Sequence, residues 1–85
     1  MTDLPLPQNL TPTQLRIFAL LRRGGIRSTD HIVDHIYSDR EDGGPLGSKR
    51  VIYTQIRALR RKLEGTGYTL RTIGWQGYKM EIHHD

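Results

Sequence analysis

Apolar residues recur at helical spacing in three stretches of the chain and at strand spacing in a fourth. In the first, Ile17, Phe18 and Leu21 share one helical face. Thr11 can cap this helix, Pro12 suits its first position and Gln14 completes a capping box. The pattern predicts a helix from Pro12 to about Arg23, stopped by Gly24 and Gly25, with Leu10 and Leu15 spaced as a hydrophobic staple. Residues 25–27 read as a short extended piece. Ser28 then caps a second helix to about Tyr37, with Asp30 in its first turn and Ile32, Val33, Ile36 and Tyr37 as its apolar stripe. A third helix is predicted from Ser48 to about Glu64, ended by Gly65. Its stripe of Ile52, Ile56, Leu59 and Leu63 recurs at i, i+4, i+7 and i+11. Over residues 68–82 the period falls to two. Leu70 and Thr72 alternate with Arg71 and Ile73, and Tyr78, Met80 and Ile82 with Lys79 and Glu81. These two runs make a hairpin whose turn is Gly74, Trp75, Gln76 and Gly77.

The remaining stretches lack periodicity. Residues 1–9 form a loose proline-bearing arm, residues 38–47 a polar, glycine-rich loop, and residues 83–85 a tail, leaving a single domain over residues 10–82. At 85 residues the chain has one modest core and little room for a buried catalytic pocket as well. With no cysteine, disulfides and thiolate metal sites are excluded and a cytoplasmic setting is expected. No apolar run is long enough to cross a bilayer, and the start has no basic segment of the kind that opens a signal peptide. His31 and His35 stand four apart on one helix, but no third ligand accompanies them, so no metal is expected. No serine, aspartate or histidine falls in a catalytic motif, and residues 43–47 lack the ending of a phosphate loop. Neither enzymatic activity nor a cofactor is expected.

Charge changes the picture more. The net charge of +4 is unremarkable, but its distribution is uneven. Residues 48–63 hold Lys49, Arg50, Arg57, Arg60, Arg61 and Lys62 and no acid, a charge of +6, whereas the rest of the chain sums to −2. Such confinement to one helix is the footprint of a polyanion-binding element. Arg50, Thr54, Arg57 and Arg61 lie opposite the apolar stripe, flanked by Tyr53 and Arg60 on one side and by Val51 and Ala58 on the other. A helix docked by one face and presenting guanidinium groups on the other fits the major groove of duplex DNA.

Three helices followed by a hairpin, with the third helix basic, is the winged helix-turn-helix order, an α+β fold. The chain resembles the OmpR/PhoB-type effector domain of bacterial response regulators. LTPTQLRIFALL (10–21) is similar to that family's opening helix, STDHIVDHIY (28–37) to its second, IRALRRKL (56–63) to the end of its recognition helix and LRTIGWQGYKM (70–80) to its wing. The resemblance implies double-stranded DNA as partner and a role in transcription regulation at the nucleoid. It implies phosphate and base contacts from Ser48, Lys49 and Arg50, and a groove-facing side with Val51, Thr54, Gln55 and Ala58. DNA-contacting bases at Arg57 and Arg61, and backbone contacts from Arg71 and Thr72, follow from the same likeness. Against that family's usual form, neither a receiver domain nor the sheet before the first helix is expected within these 85 residues. Gly74 and Trp75 also stand where a wing-tip arginine is common, and there Trp75 can pack on a sugar-phosphate edge. A monomer in solution that assembles side by side on DNA is expected. The alternative is a protein-binding module of the same fold, docking on RNA polymerase or another regulator through the acidic residues 39–42 and Trp75. An RNA partner fits less well, because the major groove of duplex RNA is too deep and narrow for such a helix.

Overall fold

The computed structural model describes residue 7, residues 9–38 and residues 47–82. Most of the arm, the centre of the 38–47 loop, where the acidic residues 39–42 fall, and the tail lie outside the described residues. Three helices, α1 (Pro12–Arg22), α2 (Thr29–Ile36) and α3 (Ser48–Lys62), precede two strands, β1 (Tyr68–Ile73) and β2 (Gly77–Ile82). The architecture is the winged helix expected from the sequence.

Each helix starts and stops for a local reason. At α1, the Thr11 hydroxyl accepts from the Gln14 amide and the Gln14 side chain accepts from the Thr11 amide, which completes the capping box. The helix ends at Arg22, one residue earlier than predicted. Ser28 caps α2 by accepting from the His31 amide. Helix α3 follows Gly47, a residue in the left-handed region that offers no side-chain cap. It ends at Lys62, two residues short of the predicted end.

The strands pair antiparallel, with Tyr68 opposite Ile82 and Ile73 opposite Gly77. The short extended piece before α2 joins this sheet through one bridge: the amides of Arg27 and Tyr78 each donate to the other's carbonyl at 2.9 Å. That bridge explains Gly77. Its φ is +143°, and a Cβ there would stand 2.1 Å from the Arg27 carbonyl oxygen, so no other residue fits without moving the backbone.

The core takes Ile17, Phe18, Leu20 and Leu21 from α1 and Ile32, Val33 and Ile36 from α2. Ile52, Ile56 and Leu59 come from α3, with Leu63 at its end, and Tyr68, Leu70 and Met80 from the sheet. Phe18 meets Tyr68 edge to face, with ring centroids 5.0 Å apart. Every apolar position predicted on the stripe of α3 is buried. Leu10 packs on the core, and Leu15 is 44% exposed. Ahead of α1, Pro7 is buried, and the Asn9 carbonyl accepts from Lys62 Nζ at 2.7 Å.

Candidate nucleic-acid interface

Burial of Ile52, Ile56, Leu59 and Leu63 fixes the rotation of α3, so Arg50, Val51, Tyr53, Thr54, Arg57 and Arg61 are exposed. The Thr54 hydroxyl donates to the Arg50 carbonyl one turn back and stays on the exposed side. Thr54, Arg57, Ala58, Arg61 and Lys62 line a shallow depression of about 530 Å³ along the outer side of this helix. Among the described residues, the guanidinium groups of Arg50, Arg57 and Arg61 have no protein hydrogen-bond acceptor or carboxylate partner.

The other cations of the basic window are engaged. Arg60 Nε donates to the Leu70 carbonyl at 3.2 Å and its terminal nitrogen to the Thr72 hydroxyl at 2.9 Å, tying α3 to β1. Arg60 thus turns toward the hairpin rather than along the outward face, and Thr72 serves as its acceptor. Lys62 Nζ donates to Asn9 and, at 2.8 Å, to the Gln14 side-chain oxygen. Gln14, the buried polar residue of the core, passes the network on by donating to Gln55 Oε1 at 2.9 Å. Gln55, expected on or beside the groove-facing side, is half-buried and tied to α1. At the start of α3, Lys49 Nζ lies 2.9 Å from Asp30 of α2. The hydrogen bond and then the charge of Asp30 raise the Lys49 pKa above its ordinary value. Ser48 is half-buried beside it.

On the hairpin, Arg71 stands directly opposite Lys79, a like-charge pair that would weaken the sheet alone. Glu81 relieves it diagonally, 2.8 Å from Arg71. Trp75 is 94% exposed at the turn, where the Gln76 amide donates to the Ile73 carbonyl at 2.9 Å. His31 is exposed and His35 half-buried on α2. The pKa of His35 is lowered chiefly by burial, then by the charges of Arg16, Arg23, His31 and Arg27. Among the described residues no three histidine or carboxylate side chains cluster as a metal site would require.

Helical spacing missed two contributors. Asp30 reaches Lys49 at the start of α3 from another helix, which no single-helix pattern reveals. Lys79 is legible as an outward strand position, but its pairing with Arg71 depends on the register. No described helix is long and apolar enough to cross a membrane.

The family model described as "Transcriptional regulatory protein, C terminal" matches residues 7–80 of this chain. The search of curated proteins and that of solved structures each found no match.

Proposed function

The chain belongs to the family of C-terminal, OmpR/PhoB-type winged-helix DNA-binding domains of transcription regulators, and from that premise we propose that it reads specific sequences in double-stranded DNA with α3 in the major groove. The observation that carries this reading is the unpartnered row of Arg50, Arg57 and Arg61, opposite a fully buried stripe. An arginine fork matches the acceptor pair on a guanine edge, and a guanidinium with no internal partner loses little in turning to one. Val51, Thr54 and Ala58 supply smaller surfaces beside these forks for methyl and polar base contacts. Ser48, Lys49 and Tyr53 meet the phosphates at the start and flank of the helix. Two uses follow for the engaged residues. Arg60 and Thr72 hold the hairpin at a set angle to α3, and Gln55 and Lys62 hold α3 on α1. Arg71 and Lys79 place positive charge along the hairpin, which acts as the wing against the neighbouring backbone. This role puts the protein on the chromosome in the cytoplasm.

Selection of bound sequences from a random duplex library tests the proposal. Enrichment of a short motif, lost when Arg57 and Arg61 are replaced, is the expected outcome. Recovery of unenriched DNA would contradict sequence-specific reading.

A further inference from the structure

Helix α2 divides its charge between two flanks. About its buried stripe of Ile32, Val33 and Ile36, at ~100° per residue, Asp30 and Asp34 fall on one side and His31 and His35 on the other. The acidic flank meets α3, where Asp30 holds Lys49. The histidine flank meets α1, whose Arg16 donates to the His35 carbonyl at 3.2 Å. Arg23 stands two turns further along the same side of α1, and Arg27 follows in the segment between the two helices. Burial holds the His35 pKa below 6.5, and the charges that add to this effect, those of Arg16, Arg23, His31 and Arg27, are all cationic. Among the described residues the Arg23 guanidinium has no acceptor, and Arg27 Nε is buried without one. A buried donor left unpaired and like charges held close are both costly, and an anion seated between them relieves both.

This seam faces away from α3's exposed side. Each of the three helices packs on the other two, so the outer seam between α1 and α2 lies across the core from Arg57 and Arg61. One duplex cannot reach both. The cations also span little. Arg16 and Arg23 are separated by ~10 Å along α1, and the axes of packed helices lie ~9 Å apart. A single DNA-binding module buries roughly 600–1,000 Å², several times such an area. The surroundings are not purely polar either, because Ala19, between the two arginines, and Leu15 beside it are exposed. Carboxylates carried on side-chain stalks reach into a recessed seam, and apolar residues of the same segment cover Ala19 and Leu15. A phosphodiester backbone does neither.

We propose that the outer seam of α1 and α2 docks an acidic segment of a partner protein, its carboxylates held by Arg16, Arg23 and Arg27 beside the two histidines. This surface is independent of the DNA-binding reading, and it stays open while α3 is on a duplex. The probe is a short dye-labelled peptide with glutamate and leucine at helical spacing, titrated by anisotropy into the free chain and into the chain saturated with duplex DNA. The peptide should bind both with the same affinity, and a glutamine-for-glutamate version of it should not bind. Arg16→Gln with Arg23→Gln should weaken peptide binding about tenfold and leave duplex affinity unchanged. Arg23→Glu, which removes no contact of the fold, should do the same at an unchanged melting temperature. Arg57→Gln with Arg61→Gln should leave peptide binding as it is. In NMR titrations the midpoint of His35 should rise when the peptide is bound, because an anion favours the imidazolium. Peptide that is displaced by duplex, or lost with Arg57 and Arg61, would overturn the proposal by placing the peptide on α3. Unchanged peptide binding in the Arg16 and Arg23 variants, or an unmoved His35 midpoint, would overturn it too. A second duplex bound through the same two arginines would overturn it in favour of nucleic acid. The titration of the free chain decides the proposal whether or not duplex DNA binds.

Discussion

Arg57 and Arg61 stand one helical turn apart on α3, and neither holds any part of the fold. Replacing either by alanine should therefore leave the melting temperature in place. The loss appears in DNA affinity, about 1–3 kcal/mol for an arginine that reads a base and a salt slope shallower by about one for an arginine on a phosphate. Anisotropy titrations at two salt concentrations separate these outcomes. Asp30 acts in the opposite sense. Its carboxylate occupies Lys49 where a DNA phosphate would sit, and it adds negative charge beside the interface. Asp30→Asn should tighten duplex binding severalfold while lowering helix stability slightly, because it also removes a favourable charge from the first turn of α2. His35 supplies a pH dependence of stability. Its pKa in the folded chain lies below the ordinary 6.5, so the unfolded chain binds its proton more readily. The stability due to neutral His35 is complete above 6.5 and is lost as pH falls below that value toward the folded pKa. The melting temperature should drop as pH falls below about 6.5, and His35→Gln should flatten part of that drop.

At the scale of elements, the wing is positioned by two attachments of different kinds. Arg60 holds β1 to α3 through side-chain hydrogen bonds, and the backbone bridge at Arg27 and Tyr78 holds β2 to the segment before α2. The second leaves no space at Gly77. Gly77→Ala combines a disfavoured backbone angle with a Cβ inside the Arg27 carbonyl, and should cost about 3 kcal/mol or more, read as a lowered midpoint of chemical unfolding. An unchanged midpoint would mean that the bridge is not part of the stable fold. The helices and the hairpin were legible in the sequence because capping residues and hydrophobic period act locally: Thr11, Gln14, Ser28 and the α3 stripe all behave as their spacing requires. Arg60, Lys62 and Gln55 show where that legibility ends. Periodicity gives each an angle around the helix axis, but long side chains bend toward acceptors on other elements, and here those acceptors are Leu70, Thr72, Asn9 and Gln14. The exposure of Trp75 was equally hidden, because a turn residue can fold back on its sheet or leave it.

For the whole molecule, the net charge of +4 understates the asymmetry that matters. Three arginines of α3 face outward without partners among the described residues, Lys49 is shared with an exposed carboxylate, and the wing adds Arg71 and Lys79. The remaining cations of the helix are turned inward to hold the fold together. One 15-residue helix thus carries both cations that hold the fold and the cations proposed to meet DNA. The most direct measurement of that division is the salt dependence of duplex DNA affinity, compared between the native chain and one in which Arg50, Arg57 and Arg61 are all glutamine. The native chain should give a line of log affinity against log salt with a slope near −4, as for about four to five neutralised phosphates, and the variant a much lower affinity at every salt concentration, with a slope shallower by about one for each of the three arginines that meets a phosphate, at an unchanged melting temperature. Equal affinities for the two proteins, or a native affinity indifferent to salt, would contradict the assignment of α3 as the DNA-binding face.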